Sequence, residues 1–435
     1  MASPNVPVHQ TSKLLGLPVE LLDIIFRDVC ATRCGPGLIC RALLRFHDEH
    51  ARKRFRRVQV VGSDQLASYC RSFELRTHIS AMCKSFKVVR YYRPERWPEQ
   101  SEVSRLVSAM PNLRVLKLVD GLVAAFLGFA ASSTAPFMPH LREVSLDADY
   151  PDEPDPYRPS FLAGLANFPS LRTLNLYFRG AEGGEAHDEG DPVDEYTLSV
   201  TDLRLVNPMI GPGSAALVAR CTSLRKLDVD DYGEGLASAR IVNAAAGLGT
   251  VTSLVLCHPW SEISAWKMPK QLKKLTTLKE LVLPRGCVCR DLGSFETLRR
   301  LGRLERLEFG VGTVVSAAHL LTLLRGKGKS RSLRHVQLDN VAANLGDVMR
   351  LKWPRDRQAL DTWLHGGWTL PKWTKTFSRE GVEALVDAAE VAGVRLCGSA
   401  VEAPRIEDVI KEKKEWVKLK KRLRREKKGH KRKPW

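Results

Sequence analysis

The stretch "LRTLNL", Leu171 to Leu176, has apolar residues at its first, fourth and sixth positions, and this spacing recurs along the chain. We number the positions of each such hexamer from 1 to 6. Eight further hexamers keep the spacing: "LRVLKL" from Leu113, "LREVSL" from Leu141, "VTDLRL" from Val200, "LRKLDV" from Leu224, "VTSLVL" from Val251, "LKELVL" from Leu278, "LERLEF" from Leu304 and "LRHVQL" from Leu333. Weaker copies begin at Phe55 ("FRRVQV"), Cys83 ("CKSFKV") and Val391 ("VAGVRL").

The hexamers recur at a nearly constant interval. From Phe55 to Leu333 the successive starts lie 24 to 30 residues apart, a period typical of repeat architectures. The alternating end of each hexamer predicts a short strand with one buried face. Segments between hexamers have helical character, such as "GPGSAALVARC" before Leu224 and "SREGVEALVDAAEVA" before Val394. One such unit cannot bury its own apolar face, so the pattern predicts an α/β solenoid with parallel strands on the concave face and helices on the convex face.

This pattern resembles the leucine-rich repeat family over about Phe55 to Cys397. The chain departs from the family at the third residue after each hexamer, where the family often has Asn or Cys. Those positions hold Gly121, Asp149, Arg179, Pro208, Tyr232, Pro259, Gly286, Gly312 and Val341. We therefore expect an irregular solenoid.

Two inserts and a Trp-rich segment interrupt the repeats. "DADYPDEPDPYRPS" (Asp147 to Ser160) is rich in Pro and acid, and "RGAEGGEAHDEGDPVDE" (Arg179 to Glu195) has seven acidic residues. Both predict exposed loops, either solvated or in contact with a partner. After Leu338 the period lapses, and four tryptophans there indicate either a cap on the solenoid or an aromatic peptide pocket: Trp353, Trp363, Trp368 and Trp373.

The segment "GLPVELLDIIF", Gly16 to Phe26, predicts an N-terminal helix with an unusually wide apolar surface. Pro18 suits the first helical position, and Glu20 suits the first turn. At 100° per residue the apolar side chains span an arc of about 200°, against the roughly 100° stripe of one packing face. Two further short helices before Phe55 cannot easily cover both faces. Part of this surface is therefore expected to contact a partner or to cap the solenoid.

The same segment resembles the opening of the F-box motif, Leu-Pro-x-Glu-[Leu/Ile]-[Leu/Ile]-x-x-Ile-[Phe/Leu]. The residues in the family's positions, and hence the adaptor-binding residues that the resemblance implies, are Leu17, Pro18, Glu20, Leu21, Leu22, Ile25 and Phe26. The family's third helix usually carries Val-Ser-[Lys/Arg]-x-Trp, whereas this chain has "LLRFHDEHA", Leu43 to Ala51, without the Trp. The resemblance to F-box proteins with leucine-rich repeats implies docking on a Skp-type adaptor, and through it a cullin, with an unknown substrate protein on the repeats.

Charge is concentrated in the tail. The chain has a formal net charge of +19, and Lys411 to Trp435 contains 14 Lys/Arg against 3 Asp/Glu, a net of 14 − 3 = +11. Three interpretations remain open: a nuclear import signal, contact with nucleic-acid phosphates, or a solvated helix without a partner. The basic patch comprises Lys420, Lys421, Arg422, Arg424, Arg425, Lys427, Lys428, Lys431, Arg432 and Lys433.

The remaining motifs favour a non-catalytic protein without a cofactor. No complete nucleotide-binding or hydrolase motif is present, and Asp230 and Asp231 are expected in a solvated turn. The spacing of Cys30, Cys34 and Cys40, and of Cys287 and Cys289, is not that of a zinc site. The longest uncharged apolar segment, Leu122 to Ala131, is too short to cross a bilayer, so we expect a soluble protein of the nucleus or cytoplasm.

The expected organisation is therefore a disordered N-terminus over 1–13, an F-box-like three-helix unit over 14–55, a leucine-rich-repeat solenoid with a Trp-rich C-terminal cap over 56–398, and a basic helical or disordered tail over 399–435.

Overall fold

The computed structural model describes most of the repeat region in two compact units. Unit 1 comprises Met1–Asp149 and Leu162–Arg172, and unit 2 comprises Tyr150–Phe161 and Thr173–Trp435. The described residues are 55–62, 65–70, 80–90, 100–132, 138–150, 157, 162–180, 196–206, 213–230, 236–257, 270–283, 288–289, 292–310, 313–325, 332–338, 341, 377–398 and 400–401.

Parallel strands follow one another in sequence order in each unit. In unit 1 they are β1 (Arg57–Val61), β2 (Ser85–Arg90), β3 (Val115–Val119) and β4 (Glu143–Tyr150, whose last residue falls in unit 2). In unit 2 they are β5 (Thr173–Gly180), β6 (Asp202–Val206), β7 (Lys226–Asp230), β8 (Ser253–Cys257), β9 (Glu280–Leu283), β11 (Arg306–Phe309), β13 (His335–Leu338) and β14 (Arg395–Cys397). A separate short ladder joins β10 (Val288–Cys289) to β12 (Val314–Val315).

Helices connect these strands. The α-helices that are described over their whole length are α1 (Gln100–Ser108), α2 (Gly121–Ser132), α3 (Gly213–Arg220), α4 (Leu236–Leu248), α5 (Leu292–Arg299), α6 (Ala317–Leu324) and α7 (Arg379–Ala392). Two connections instead contain a 3₁₀ helix, Ala163–Asn167 and Lys270–Lys274. The α/β class and the alternation of parallel strands with helices are thus confirmed and agree with a solenoid-like repeat.

The hexamer pattern sets the strand register. Position 3 of one hexamer pairs with position 3 of the next, as in Arg57 with Ser85, Asp202 with Lys226, and Arg306 with His335. From Cys83 to Leu338, positions 1, 4 and 6 are buried in every hexamer. Because alternate side chains of a strand point to opposite faces, positions 4 and 6 form the core and positions 3 and 5 lie on the other face.

The last hexamer was predicted two residues too early. Val391, its expected first core residue, lies in α7 and is 86% exposed. The helix begins at a Ser378 cap, whose Oγ accepts the Gly381 N–H at 3.1 Å, and ends at Gly393 with φ of 69°. In β14 it is Leu396 that pairs with Val336, a position-4 residue, so the repeat starts at Gly393. The helix α7 extends over Val391 and Ala392, the first two residues that the spacing assigned to the hexamer.

The first insert is not simply an exposed loop, contrary to the prediction. Its first residues, Asp147 to Tyr150, belong to β4, and Tyr157 is fully buried in unit 2. The Tyr157 hydroxyl donates to the Val206 carbonyl and accepts the Phe178 N–H at 3.2 Å. The rings of Tyr157 and Phe178 lie 5.2 Å apart. Tyr157 thus belongs to the core, which the acidic and Pro-rich composition of the insert concealed.

Unit 1 has a tightly packed helix layer. The apolar segment expected to be too short for a bilayer forms α2, and its Phe126 stacks on Phe168 with ring centroids 5.6 Å apart. The Asn167 Nδ2 donates to the Ala130 carbonyl at 2.9 Å, next to Gly164. A Cβ on Gly164 would lie 2.5 Å from the Ala131 backbone nitrogen, so the close approach requires glycine. Among the described residues no helix is long and apolar enough to span a membrane.

Several predicted regions lie outside the described residues. They are the N-terminal region up to Arg54, the acidic insert from Ala181 to Glu195, the Trp-rich segment with Trp353, Trp363, Trp368 and Trp373, and the basic tail from Lys411 to Trp435. The F-box-like unit, the Trp-rich cap and the helical tail therefore remain predictions.

Replacing Tyr157 with Phe tests the buried anchor. The substitution removes the hydroxyl that accepts the Phe178 N–H and donates to the Val206 carbonyl, so we expect a loss of about 1–3 kcal/mol in the free energy of unfolding. Urea denaturation measures it. Tyr177→Phe, at a half-buried site next to Phe178 on β5, is the control and should have a smaller effect. Equal midpoints for Tyr157→Phe and the wild type would show that the hydroxyl is not an anchor.

Candidate binding surface

The face opposite the buried core positions of unit 2 is polar. We call it the open face and define it by positions 3 and 5 of the hexamers. Position 3 holds Thr173, Asp202, Lys226, Ser253, Glu280, Arg306 and His335, and position 5 holds Asn175, Arg204, Asp228, Val255, Val282, Glu308 and Gln337. A row of such side chains crosses the strands at about 4.8 Å intervals. These are the variable positions of the repeat, so they can differ without disturbing the core.

Ion pairs cross neighbouring strands of the open face. Arg306 lies 3.5 Å from a Glu280 oxygen on β9 and 3.2 Å from a Glu308 oxygen on its own strand. The Ser253 hydroxyl donates to the other Glu280 oxygen at 2.9 Å. Because these side chains are partly exposed, the pairs contribute little to stability, typically about 0–1 kcal/mol. They are available to exchange partners when another molecule binds.

Asp228 is the least satisfied group on the open face. Its Oδ2 lies 3.5 Å from Arg204 Nε, whereas its Oδ1 is buried and has no hydrogen-bond partner among the described residues. Burial raises the pKa of the Asp228 carboxyl, and the nearby charges of Arg204 and Lys226 oppose that rise. A buried acceptor without a donor costs free energy, so this carboxylate lowers the stability of the fold.

Two valines divide the charges of the open face. Val255 pairs with Asp228 on one side and Val282 on the other, and Val282 pairs in turn with Glu308. Position 5 therefore reads acid, valine, valine, acid across four strands, with about 14 Å between the two acidic strands. This arrangement suits an apolar group flanked by cations.

A thiol and an imidazole meet near the end of the sheet. Cys397 Sγ lies 3.8 Å from Nδ1 and 3.7 Å from Nε2 of His335, whose Nε2 is 3.2 Å from Gln337 Oε1. Because the sulfur is nearly equidistant from both nitrogens, neither nitrogen is aimed at it. The geometry is that of a packing contact and differs from an activated nucleophile.

Other reactive groups in the described residues are buried or dispersed. Burial raises the pKa of the Cys83 and Cys221 thiols to about 12, so both remain protonated at neutral pH. No three His, Cys, Asp or Glu side chains cluster as a metal site within the described part of the chain. Asp230 is the last residue of β7, and Cys289 lies in β10. Asp231, Cys287, Cys30, Cys34 and Cys40 lie outside the described residues.

A cleft of about 430 Å³ lies on the helix side of unit 2, between α4 and the 3₁₀ helix Lys270–Lys274. Its lining includes Arg240, Lys270, Lys273 and Lys274, and Lys274 Nζ donates to Asn243 Oδ1 at 3.0 Å. These charges make the cleft compatible with an anion.

The predicted site residues do not coincide with these surfaces. The adaptor-binding set Leu17, Pro18, Glu20, Leu21, Leu22, Ile25 and Phe26, and the basic patch from Lys420 to Lys433, lie outside the described residues. The sequence interpretation named no residue of the open face. The hexamer register would have identified positions 3 and 5 as outward-facing, but their cross-strand pairing needed the structure.

Comparisons with known proteins do not identify a family. No family model matches the chain, and no curated protein matches it. Among solved structures, a crystal structure of a Bacteroides fragilis protein, a structural genomics target, matches with 12% identity and a TM-score of 0.28. The match covers 62% of this chain, and the chain spans 63% of that protein. A likeness this weak carries no argument about function.

Replacing Asp228 with Asn tests the burial of its charge. Because the folded-state pKa is raised, the ionised carboxylate lowers stability above that pKa, and this cost disappears below the ordinary value of 3.8. We expect Asp228→Asn to raise the denaturation midpoint at pH 7 and to have little effect near pH 3.5. Glu308→Gln, at a carboxylate paired with Arg306, is the control and should bring no gain. A loss of stability at pH 7 for Asp228→Asn would show that the pair with Arg204 outweighs desolvation.

Proposed function

We propose that this chain is a non-catalytic substrate-recognition subunit of an SCF-type cullin-RING ubiquitin ligase. In this proposal the F-box-like unit over 14–55 docks on a Skp-type adaptor, and the leucine-rich-repeat array holds a target protein. The single observation that carries it is the order of the two parts: the two-faced "LPVELLDIIF" segment directly precedes a repeat array with a polar open face. Ubiquitin transfer would be performed by other subunits.

The open face supports the target-binding half of the proposal. Protein interfaces combine an apolar centre with a polar rim, and Val255 with Val282 between Asp228 and Glu308 has this arrangement on a small scale. The partly exposed carboxylates of Asp228 and Glu308 would attract Lys or Arg side chains of the target. A target segment with an apolar residue between cations therefore fits this face.

The alternative is a leucine-rich-repeat scaffold of the nucleus that binds protein or RNA through its basic tail. The observation in its favour is the net +11 of Lys411 to Trp435, which suits nuclear import or phosphate contact. Under this alternative the N-terminal helices would only cap the repeats. Localisation in the nucleus, the cytoplasm or both is compatible with the ligase proposal.

A double substitution tests adaptor docking. Leu17→Ala with Phe26→Ala removes two apolar anchors, which should weaken adaptor binding by about 2 kcal/mol or more. Pull-down of the full-length chain with a purified Skp-type adaptor measures this. Asp23→Ala with Arg27→Ala, on the opposite sector of the predicted helix, is the matched control and should bind like the wild type. Recovery of no adaptor by the wild-type chain would contradict the proposal.

A second substitution tests the open face separately. Val282→Lys places a charge in its apolar centre, so we expect loss of target proteins from affinity purifications while the adaptor and cullin are retained. Val391→Lys, at an exposed valine of α7, is the control and should keep both. Quantitative mass spectrometry measures the two sets. If Val282→Lys recovered the same target proteins as the wild type, target binding would not depend on the open face.

A further inference from the structure

Five successive repeats of unit 1 have a basic residue at hexamer position 2. We call this set the basic row: Arg56, Lys84, Arg114, Arg142 and Arg172. Position 2 directly precedes each strand, where the repeat pattern requires no particular side chain. The row therefore occupies the edge of unit 1 at which its parallel strands begin.

Backbone hydrogen bonds align the basic row. Each N–H at position 2 donates to the position-2 carbonyl of the preceding repeat: Lys84 to Arg56 at 3.0 Å, Arg114 to Lys84 at 2.9 Å, Arg142 to Arg114 at 2.8 Å, and Arg172 to Arg142 at 2.8 Å. Neighbouring strands lie about 4.8 Å apart, so the five α-carbons span roughly 19 Å. The scaffold thus fixes a line of five cations.

The charges of the row are open to solvent. Arg56, Arg114, Arg142 and Arg172 are exposed, and Lys84 is half-buried. The side chains of Arg56, Lys84, Arg114 and Arg142 make no ion pair among the described residues. Four like charges this close together repel one another, and a polyanion would relieve that repulsion.

Further cations extend the positive surface onto the adjoining face of unit 1. Arg57 is the first residue of β1, directly after Arg56 of the row. Lys87 and Lys117 occupy position 5 of the hexamers on β2 and β3. The carboxylate of Glu143 stands at position 3 of β4, whereas Asp120 follows the end of β3 and Asp147 lies further along β4, opposite Val119 at the end of β3. The strand-starting edge of unit 1 is consequently the basic one.

The same position in unit 2 does not form such a row. Thr201, Thr252 and Glu305 interrupt its cations, and Lys279 is paired with Glu305 at 3.1 Å. Arg225, Lys279 and Arg334 therefore have equivalent backbone positions without a continuous line of charge. This difference between units provides a matched control.

The surroundings of the row favour phosphate over a protein partner. The large apolar side chains that are exposed in the described residues are Val61, Val89 and Val391, and none lies on this edge. The turns before the strands present Asn112, His140 and Ser170. A protein interface needs an apolar centre, and recognition of single strands usually adds stacking aromatics. A duplex backbone needs neither, and each of its strands carries one phosphate per about 3.4 Å of helix axis, so several phosphates lie within reach of a row of roughly 19 Å.

We propose that the basic row of unit 1 binds the phosphate backbone of a double-stranded nucleic acid without reading its sequence. This inference does not depend on the ligase function. Arg and Lys contacts to phosphates position a protein on a duplex, and the regularly spaced cations of this edge suit that role. DNA and RNA duplexes share this chemistry, and direct comparison of the two distinguishes them.

The test is fluorescence anisotropy of the full-length chain with a labelled 20-base-pair DNA duplex and an RNA duplex of the same sequence, between about 50 and 200 mM salt. The variant is Lys84→Gln, Arg114→Gln, Arg142→Gln, and the control is Arg225→Gln, Lys279→Gln, Arg334→Gln. We expect the variant to lose at least about tenfold in affinity at 100 mM salt. For the DNA duplex its slope of log affinity against log salt should fall in magnitude by about 2–3, because each phosphate contact contributes about 0.9. The control should change the slope by less than about 1, and circular dichroism checks that both are folded.

Several outcomes would overturn the proposal. Equal losses for the variant and the control would mean that overall charge, including the tail, governs binding. If polyglutamate or a single-stranded oligonucleotide bound more tightly than either duplex, and the variant lost that binding, the ligand of the basic row would not be a duplex. Wild-type binding that is insensitive to salt would exclude backbone contact altogether.

Discussion

One backbone interaction determines the register of the repeats: a position-2 carbonyl accepts two successive N–H groups of the next repeat. The Lys84 carbonyl accepts those of Arg114 and Val115, and the Arg225 carbonyl accepts those of Thr252 and Ser253. Because buried backbone groups must be paired, this shared acceptor fixes where each strand begins. A one-residue slip would turn the core leucines outward, so the hydrophobic pattern and the carbonyl ladder enforce the same register.

The same register determines which surfaces the protein can use. Positions 1, 4 and 6 are committed to the core, which leaves positions 2, 3 and 5 free to vary. In unit 2, positions 3 and 5 produce mixed charges around two valines and an unsatisfied carboxylate at Asp228. In unit 1, position 2 produces a line of cations. The same backbone arrangement thus presents two chemically different surfaces, and the two units can bind different partners.

The repeat spacing predicted most of the described fold. Leucines such as Leu174 and Leu254, which are fully buried, revealed strand positions and register because burial constrains their type. The repeat spacing failed at two places where a local interaction was stronger. The helix α7 continues to its Gly393 cap, so the last hexamer begins later than the spacing predicted. Tyr157 is buried in the core although it belongs to an acidic insert. Surface function was harder to predict. The charge of position 2 was readable once hexamers are aligned, whereas the missing partner of Asp228 depends on cross-strand geometry that no spacing encodes.

The most direct test of this account is amide hydrogen exchange along the full-length chain, read by mass spectrometry with electron-transfer fragmentation. If the shared-carbonyl ladder organises the repeats, the position-2 and position-3 amides of Arg114, Val115, Thr252 and Ser253 should be among the slowest in the described residues. The amide of Val391, the first residue of the predicted hexamer, which lies in α7, should follow the exchange of that helix. Rapid exchange of the four ladder amides, at the rate of an unstructured peptide, would contradict the account.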